Sequence, residues 1–484
     1  MLNPSLSGPV RRLRPFLTVT AAASVLAACA VGPKAPDVTL PLSASGAFIG
    51  ASTTSAVSAA EARDDWWRLY DDAILDTLVA QALAENNELE VAAANLRAVR
   101  ASLSESRAGR LPSTQITGAG SYGRASAATV PGATPGQALD EGETYDVGLD
   151  VSYEIDLFGR VGSAIRAARA DAEAAEAALD VVRVTVAAET ARAYADICAA
   201  NVQLAVAERS LGLQTETVDL TQRLLDNGAG TALQTSQARS AAATTAATLP
   251  PLRAQRDAAL FRLATLTGVA PADVNPAARA CAVIPTLAQP IPVGDGAALL
   301  ARRPDVRQAE RNLQGAAARV NVATAALYPS ISLGGSFGST ALDAGDLGEE
   351  SNFRFSVGPL ISWSFPNIAV ARARIEAADA NSQAALATFD QTVLVALQET
   401  ETALSAYANE LDRAAALTTA RDEAATAARI ARLRFDAGAD SFLAVLDAQR
   451  TLVQAEAALA ASQALVATYQ ITLFKALAGG WAGE

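Results

Sequence analysis

Two stretches of the chain alternate between apolar and polar residues. From Tyr145 to Leu157 every odd-numbered position is apolar or aromatic, and every even-numbered position is Asp, Gly, Ser or Glu. From Phe353 to Phe365 the same alternation returns, with lapses only at Pro359 and Leu360. A period of two predicts β-strands with one apolar and one polar face. Each run of about 13 residues exceeds the roughly 9 to 11 residues that a tilted strand needs to cross the hydrocarbon core of a bilayer.

Weaker strand patterns at 115–123 and 331–338 precede these runs, so the chain offers four strands. Four strands cannot close a transmembrane barrel, because the smallest barrels use about eight and an open edge in lipid leaves backbone groups unpaired. A soluble β-sandwich is the alternative, but it does not explain so few strands beside such long helices. We therefore expect several chains to share one barrel, and we favour three chains with about twelve strands, which leave an aqueous lumen. The predicted lumen-facing residues are Asp150, Ser152, Glu154 and Ser362.

Most of the remaining chain is rich in alanine and follows the helical period. One helical pattern runs from the residue after Gly159 to Asn227, and another runs from about Ile368 to Ala437. At about 1.5 Å per residue, roughly 67 residues give a helix of about 100 Å, several times the thickness of a bilayer core. The Arg, Asp, Glu and Thr residues in these helices make them water-facing, so we expect them to cross an aqueous compartment. Shorter amphipathic helices are predicted at 73–107 and from Arg303-Pro304-Asp305, where a proline and an acid favour a helix start.

Each long helix ends at a glycine-containing break, and the two breaks repeat each other at an offset of 210 residues. Gly228 and Gly438 stand where a helix end needs a left-handed backbone, and Thr231 and Ser441 stand as hydroxyl N-caps of the returning helices. The same offset superposes the strands, so the chain is a tandem repeat of one unit. We predict that each half forms a long helical hairpin with its break at the tip. Only the first returning helix is interrupted, at Pro250-Pro251.

The N-terminus has the three parts of a secretory signal, which are an arginine-rich start, an apolar run from Phe16 to Ala28 and small residues before a cleavage site. Its end, Leu26-Ala27-Ala28-Cys29, resembles a bacterial lipobox, in which the cysteine becomes the lipid-modified first residue of the mature protein. We therefore predict an exported protein that is anchored to lipid through Cys29. Ala30 follows the cysteine, which resembles the sorting signal for delivery to the outer membrane. Residues 29–62 are rich in Pro, Ser, Gly and Ala, and we expect an extended tether without a core.

Composition narrows the choice of function. The formal net charge is −13, and nucleic-acid binding needs clustered Lys and Arg, so we predict no nucleic-acid partner. The chain has no histidine, and its only methionine is Met1, which argues against hydrolytic chemistry and a metal site. We expect neither a metal nor a cofactor. Cys198 lies in a helical run and Cys281 in a Pro-rich connector; we favour incidental thiols over a catalytic pair, and a bridge between them stays open.

Two other classes of function compete with a membrane duct. An exported enzyme would have to use carboxylates such as Glu399 and Glu401, but residues two apart do not face the same way on a helix and no nucleophile is positioned beside them. A structural or adhesive coiled coil would not explain the alternating strands. The chain has no GKS or GKT phosphate-binding motif, so a duct of this kind would be passive and would take its energy from a partner.

Several short motifs stand in a fixed order along the chain. They are Cys29 to Pro36, Trp66-Trp67, Tyr153 to Arg160, Arg303-Pro304-Asp305 with Ala309-Glu310, Tyr328-Pro329-Ser330, Leu446 to Gln449 and Ala478 to Trp481. Together with the repeat, they resemble the TolC-like outer-membrane efflux family, and more closely its lipoprotein branch in tripartite multidrug systems (OprM/NodT-like). The resemblance implies a membrane α+β fold in which a homotrimer forms a twelve-stranded outer-membrane barrel, continued by α-helical hairpins as a periplasmic tunnel. It implies as partners a periplasmic adapter (a membrane fusion protein), an inner-membrane RND-type pump and outer-membrane lipid.

The resemblance also implies roles at the hairpin tips. In the family an acidic residue of the second tip faces the tunnel axis and narrows its periplasmic end, and this position matches Asp447. A second acid one turn earlier in some members falls here on Ala444, and Gln234 stands where the first tip can carry an acid. We predict a periplasmic gate of Asp447, Gln234 and Asp440; the alternative for Asp447 is a solvated carboxylate on the outer face. Adapter docking is predicted at Gly228, Thr231, Leu233, Gly438, Ser441 and Leu443.

The predicted organisation is a signal peptide at 1–28, a lipid-anchored tether at 29–62, a first repeat at 63–270, a connector at 271–301, a second repeat at 302–478 and a tail at 479–484. The predicted function is the outer-membrane exit duct of a tripartite efflux pump, which passively conducts drugs or other small molecules. The alternatives are the outer-membrane component of type I protein secretion or of metal or lipo-oligosaccharide export. The sequence does not name the cargo.

Overall fold

The structure is a computed structural model that describes residues 32–33, 42–134, 136, 138–287, 289–364 and 367–477. The predicted signal peptide at 1–28, the predicted lipidation at Cys29, Phe365 of the second alternating run and the predicted tail at 479–484 lie outside the described residues. The chain divides into two compact units, and each takes segments from both halves of the sequence. The strand unit contains Arg97–Ala174 and Glu310–Thr388, and the helical unit contains 42–96, Ala175–Ala309 and 389–477.

The elements are numbered in chain order. The helices are α1 (Ala73–Glu85), α2 (Asn87–Ala108), α3 (Arg160–Asp226), α4 (Ala232–Ala246), α5 (Leu249–Leu266), α6 (Pro276–Arg279), α7 (Gly296–Arg302), α8 (Pro304–Ala325), α9 (Ile368–Asp436) and α10 (Phe442–Leu477). The strands are β1 (Val57–Ser58), β2 (Ser113–Gly123), β3 (Gly142–Ile155), β4 (Ile291–Pro292), β5 (Ser330–Ala341) and β6 (Phe353–Ser362). Short 3-10 helices at Leu42–Ser45, Gly50–Thr53 and Trp66–Tyr70 precede α1.

The strand unit contains an antiparallel sheet in the order β2-β3-β5-β6. Its register brings apolar positions of all four strands to one face. Leu149 pairs with Ile116 on β2 and with Phe337 on β5, and Phe337 pairs in turn with Phe355 on β6. Paired residues of neighbouring strands point to the same side of a sheet. The two alternating runs are therefore strands of one sheet, and their apolar faces coincide.

The strand ends differ slightly from the predicted ones. β6 ends at Ser362, so Trp363 and Ser364 of the second alternating run lie beyond the strand. β3 ends at Ile155, because the carboxylate of Asp156 accepts hydrogen bonds from the N–H groups of Val161 (3.0 Å) and Gly162 (2.7 Å) and so begins the next helix. β2 and β5 contain 11 and 12 residues and are longer than their weak sequence patterns indicated.

The long helices α3 and α9 contain 67 and 69 residues and confirm the predicted helical runs. The single helix predicted at 73–107 is wrong, because α1 and α2 are separated at Asn86, whose backbone is extended (φ −74°, ψ 126°). The Asn86 side chain accepts hydrogen bonds from the N–H groups of Glu88 (2.9 Å) and Leu89 (3.2 Å) and donates one to the oxygen of Leu266 (2.9 Å). A buried asparagine that caps one helix and binds the end of another explains a break that apolar periodicity does not indicate.

The first returning helix is interrupted as predicted. α4 ends at Ala246 and α5 begins at Leu249, with Pro250 and Pro251 in its first turn. Proline is tolerated there because the first N–H groups of a helix have no partner within it. The second returning helix, α10, runs without a break for 36 residues.

The described part of the predicted tether carries buried side chains, so the expectation of an extended segment without a core is wrong there. Ala44 and Phe48 are buried, and β1 pairs in parallel with β4. The N–H of Gly296 donates to the oxygen of Gly46 (2.9 Å), and a Cβ at position 296 would lie 2.1 Å from the oxygen of Ala44. The segment therefore packs closely within the helical unit. Its elements are too short and irregular to produce a period in the sequence.

An aromatic core surrounds Trp66-Trp67 in the helical unit. Trp66 stacks on Phe474 of α10 with ring centroids 4.7 Å apart. Tyr70 donates a hydrogen bond to the side-chain oxygen of Gln470 (3.3 Å), and Gln470 donates one to the hydroxyl of Tyr407 on α9 (3.1 Å). Burial raises the pKa of the Tyr70 hydroxyl, which keeps it a neutral donor. The tryptophan motif thus anchors α10 to the segment that precedes α1.

Among the described helices, α10 alone has an 18-residue window apolar enough for a membrane span, with a mean hydropathy of 1.3, and 44 % of that window is buried inside the protein. Ile471, Leu473 and Phe474 pack in the core of the helical unit. A helix that is apolar on the side that packs against its own chain needs no lipid to explain it. We therefore interpret α10 as a core helix.

Cys198 and Cys281 form a disulfide bond, so the favoured prediction of incidental thiols is wrong and the bridge that stayed open is present. The bond ties the fully buried middle of α3 to the segment that follows α6. Asn201 supports the attachment, because its side chain donates to the backbone oxygens of Cys281 (2.7 Å) and Arg279 (3.1 Å). The sequence separation of 83 residues explains why local pattern did not indicate the pairing.

Candidate functional site

The polar face of the sheet carries a side-chain cluster that crosses three strands. Asp146 on β3 accepts a hydrogen bond from Oγ1 of Thr340 on β5 (2.7 Å), and Nη2 of Arg354 on β6 lies 2.8 and 2.9 Å from its two oxygens. Nε of Arg354 donates to Oγ1 of Thr340 (3.1 Å). Arg354 is paired in register with Gly338, whose missing side chain leaves room for the arginine to cross β5. Arg354 is the single charged residue among Ser356, Gly358, Leu360 and Ser362 on this side of β6, and it is the signal in the sequence that points to this cluster.

The residues predicted to face a lumen lie on this same polar face. Asp150 pairs with Gln115 on β2 and with Ser336 on β5. The backbone oxygens of Ser152 and Ser362 each accept a hydrogen bond at 3.2 Å from a serine hydroxyl of the neighbouring strand. The sheet therefore brings predicted residues from both halves of the chain to one surface.

Glu154, the fourth of these residues, belongs to the connection between the sheet and α3. Nε of Arg160 donates to its carboxylate at 2.8 Å, and this hydrogen bond raises the pKa of the arginine. Phe158 stacks on Tyr328 with ring centroids 4.7 Å apart. The negative charge of Glu154 is thus balanced within the chain, and the motif from Tyr153 to Arg160 has a structural role in starting α3.

The first hairpin tip has the predicted left-handed glycine and the predicted cap. Gly228 has φ +72°, and the N–H of Ala229 donates to the oxygen of Leu224 (2.8 Å). Thr231 and Gln234 form a capping box, in which the Thr231 hydroxyl accepts from the N–H of Gln234 (3.3 Å) and the Gln234 side chain accepts from the N–H of Thr231 (2.9 Å). Gln234, a predicted gate residue, therefore holds the first turn of α4.

The second hairpin tip has the same backbone turn. Gly438 has φ +70°, and the N–H of Ala439 donates to the oxygen of Arg434 (2.8 Å). Asp440, another predicted gate residue, forms an ion pair with Arg434 (3.1 Å). Ser441 directly precedes α10, and the cap predicted for its hydroxyl stays a prediction.

Asp447 lies on the exposed side of α10 near this tip. It forms an ion pair with Arg450, one turn further along the helix (2.8 Å). A groove of about 630 Å³ lies beside it, between α10 and the helices α3 and α4. Leu233 and Leu443, at corresponding positions of the two tips, are 67 % and 62 % exposed.

The two glutamates considered for an enzyme have separate structural partners. Glu399 lies 2.7 Å from Nη2 of Arg303, a largely buried side chain. Burial disfavours the charge of Arg303, but hydrogen bonds to Asp305 and Glu399 outweigh burial and raise its pKa. Glu401 accepts hydrogen bonds from the N–H groups of Ile49 (2.7 Å) and the residue after it (2.9 Å). Within the described ranges, no group of three or more His, Cys, Asp or Glu side chains is arranged to hold a metal ion.

A family model described as outer membrane efflux protein matches residues 78–269 and 297–479, which together form most of the chain. This match covers the sheet and both helical hairpins. The chain belongs to the outer membrane efflux protein family, and the TolC-like resemblance of its motifs is confirmed.

Similarity to individual relatives extends over nearly the whole chain. It is 32 % identical to the probable efflux pump outer membrane protein TtgC of Pseudomonas putida, over 96 % of each chain. It is 30 % identical to the pyoverdine export outer membrane protein OpmQ of Pseudomonas aeruginosa, over 97 % of each chain. Among solved structures, the outer-membrane channel OprN matches with a TM-score of 0.86 and 35 % identity, over 94 % of this chain and 100 % of that chain. The fold is therefore that of an outer-membrane channel protomer, mostly helical with one larger sheet.

Proposed function

We propose that this chain is the outer-membrane exit duct of a tripartite efflux pump, which conducts its cargo passively from a periplasmic adapter and an inner-membrane pump to the outside. The observation that carries the proposal is the sheet. Its register assembles one apolar face from β3, β5 and β6, and an opposite face with Asp146, Asp150 and Ser152. In a transmembrane barrel, an apolar face meets lipid and a polar face lines a water-filled lumen. Membership of the efflux family is the second support.

We infer that three chains pool their strands in one twelve-stranded barrel. β2 and β6 are the outer strands of the sheet, and an outer strand in lipid would leave backbone groups unpaired at a cost of several kcal/mol each. Pairing β6 of one copy with β2 of the next removes both edges, provided that the ring closes. Three copies rather than two leave an aqueous lumen.

The adapter is proposed to dock at the two hairpin tips. The exposed leucines of the tips, Leu233 and Leu443, supply apolar anchors, and the left-handed glycine turns fix their positions. The tip residues of this proposed surface are Gly228, Thr231, Leu233, Gly438, Ser441 and Leu443. The proposed gate centres on Asp447, which is exposed and not needed to cap a helix. Gln234 and Asp440 are proposed to contribute to the gate indirectly, because each holds the shape of its own tip.

Two further parts of the proposal concern the membrane. Cys29 is proposed to carry the lipid that anchors the mature chain to the outer membrane, and the inner-membrane partner is proposed to be an RND-type pump. Mass spectrometry of the mature protein tests the anchor directly. An unmodified Cys29, or a chain that keeps residues 1–28, would contradict it.

The duct itself is tested with the purified full-length chain. We expect a native mass of three copies and ion conductance in a planar bilayer. In a strain that lacks its own outer-membrane efflux component, the chain should restore drug resistance when its adapter and pump are also supplied. A protein that inserts but never conducts would overturn the duct, and a native mass of two or four copies would overturn the trimer.

The cargo needs its own test, because a passive duct need not bind what it passes. One relative is named for an efflux pump and another for pyoverdine export. A strain from which this chain has been deleted is therefore assayed for drug accumulation and for siderophore in the medium. Increased drug accumulation supports drug efflux, and loss of the siderophore alone supports siderophore export.

A further inference from the structure

The polar face of β3 carries two carboxylates whose surroundings differ sharply. Asp146 binds the guanidinium of Arg354 and the hydroxyl of Thr340. Asp150 lies four residues further along β3 on the same face, and its register partners Gln115 and Ser336 are uncharged. The first carboxylate is therefore neutralised by a fixed cation, and the second is not.

A pair of glycines makes room for the cation. Gly148 and Gly338 are register partners on β3 and β5, directly in the path from Arg354 to Asp146. A Cβ at position 148 would lie 3.5 Å from Nη2 of Arg354, and a Cβ at position 338 would lie 3.4 Å from the same atom and 2.5 Å from the oxygen of Val147. The guanidinium is thus seated over a gap in the side-chain layer, which fixes it across three strands.

Asp150 has no such partner. Its neighbours along the polar face of β3 are Gly148 and Ser152, and its partners on the adjacent strands are an amide and a hydroxyl. No ion pair to Asp150 is formed within the part of the chain that the structure describes. Glu154, the next acid on this face, is balanced by Arg160.

We propose that Asp150 sets the cation preference of the strand-lined part of the duct, and that Arg354, seated over Gly148 and Gly338, withholds Asp146 from this role. The inference rests on the proposed duct function. An uncompensated carboxylate in a confined aqueous path raises the local concentration of cations, whereas a carboxylate beside a fixed guanidinium has almost no net field at a distance. Three copies would present three Asp150 carboxylates around one lumen.

The test is the reversal potential of the full-length protein in a planar bilayer under a KCl gradient. Salt is kept near 0.01 M on the dilute side, where screening extends over about 30 Å and surface charges are felt. Asp447 is kept in every variant, so that the tips contribute equally. We expect Asp150→Asn to shift the potential towards zero, because the unmasked negative charge is lost.

Variants of the masked pair should move in opposite directions. Arg354→Gln unmasks Asp146 and should increase the preference for cations, whereas Asp146→Asn leaves Arg354 unpaired and should decrease it. The double variant Asp146→Asn with Arg354→Gln removes both charges and should behave like the wild type. This double variant also keeps the test valid if Arg354→Gln fails to assemble.

Each result bears on a distinct part of the inference. A wild-type reversal potential in Asp150→Asn would overturn the role of Asp150. A shift of the double variant as large as that of Asp150→Asn would overturn the masking by Arg354. Absence of conductance in the wild type would instead contradict the duct function on which the inference rests.

Discussion

Asp447 and Arg450 lie one turn apart on α10, with Oδ1 of the acid 2.8 Å from Nη2 of the arginine. In the proposed trimer, a ring of Asp447 carboxylates is therefore accompanied by guanidinium groups that cancel part of its field. The family resemblance predicts a gate at Asp447 but does not indicate that Arg450 pairs with its carboxylate. Because both side chains are well exposed, the pair contributes at most about 1 kcal/mol to stability, so substitutions should report on the gate and not on folding.

We expect Asp447→Ala to weaken block of the conductance by a trivalent cation, because the carboxylates that attract it are removed. Arg450→Ala should strengthen the block, because the same carboxylates are then uncompensated. Bilayer conductance with increasing trivalent cation measures both, and the thermal unfolding temperature serves as the control for folding. Unchanged block in both variants would return Asp447 to the alternative of a solvated carboxylate on the outer face.

Gly228→Val and Gly438→Val should abolish efflux in cells while the trimer remains. Both glycines have φ near +70°, and a left-handed backbone costs an ordinary residue about 1–2 kcal/mol, so a β-branched residue should distort the turn. Drug accumulation measures efflux, and native mass measures assembly. Gly212→Ala is the matched control, because a Cβ there meets nothing within 4 Å, and efflux should be unchanged. Normal efflux in Gly438→Val would mean that docking does not depend on this turn.

The elements that the sequence predicts well are those with a local physical cause. Period two predicts β3 and β6, and the left-handed glycines and Thr231 mark the first tip, because these signals depend on neighbouring residues only. The repeat supplies the second tip by correspondence. The faces of β3 follow from its alternation, and the register adds that β5 and β6 share them.

The features that the sequence does not indicate depend on residues far apart in the chain. Arg354 and Asp146 are separated by 208 residues, and their contact requires β5 to lie between their strands. The buried Asn86 breaks a helix because of a partner at Leu266. Periodicity carries no information on such pairs, so only the tertiary structure reveals the masked carboxylate and the helix break.

The disulfide between Cys198 and Cys281 gives a stability prediction. It closes a loop with a sequence separation of 83 residues, for which the chain-entropy model assigns about 4.5 kcal/mol. We expect the double variant Cys198→Ala with Cys281→Ser to unfold at a lower temperature than the wild type. Reductant should lower the wild-type unfolding temperature to that of the variant and leave the variant unchanged. A wild type that is insensitive to complete reduction would show that the bond adds no stability.

The faces of the sheet are tested by arginines at two adjacent positions of β3. Val151 lies on the apolar face and Ser152 on the polar face, and their register partners on β5 are Gly335 and Gly334. Because each has a glycine opposite, an arginine meets similar space at both positions and its charge decides the outcome. Val151→Arg should cost about 2–4 kcal/mol near the middle of the bilayer and abolish the heat-resistant oligomer on a gel.

Ser152→Arg should instead assemble normally and lower the preference for cations, because its charge would point into water. The pair Ile361→Arg and Ser362→Arg on β6 repeats the comparison on an outer strand of the sheet, where the proposed trimer joins one copy to the next. β6 is an outer strand within one chain, so Ile361→Arg should be worse tolerated than Ser362→Arg only if a second copy pairs with β6 and completes the barrel.

If both arginines on β3 abolish the oligomer equally, neither face of the sheet meets a water-filled lumen. If equal loss is found only on β6, the junction between copies is too tightly packed for either substitution.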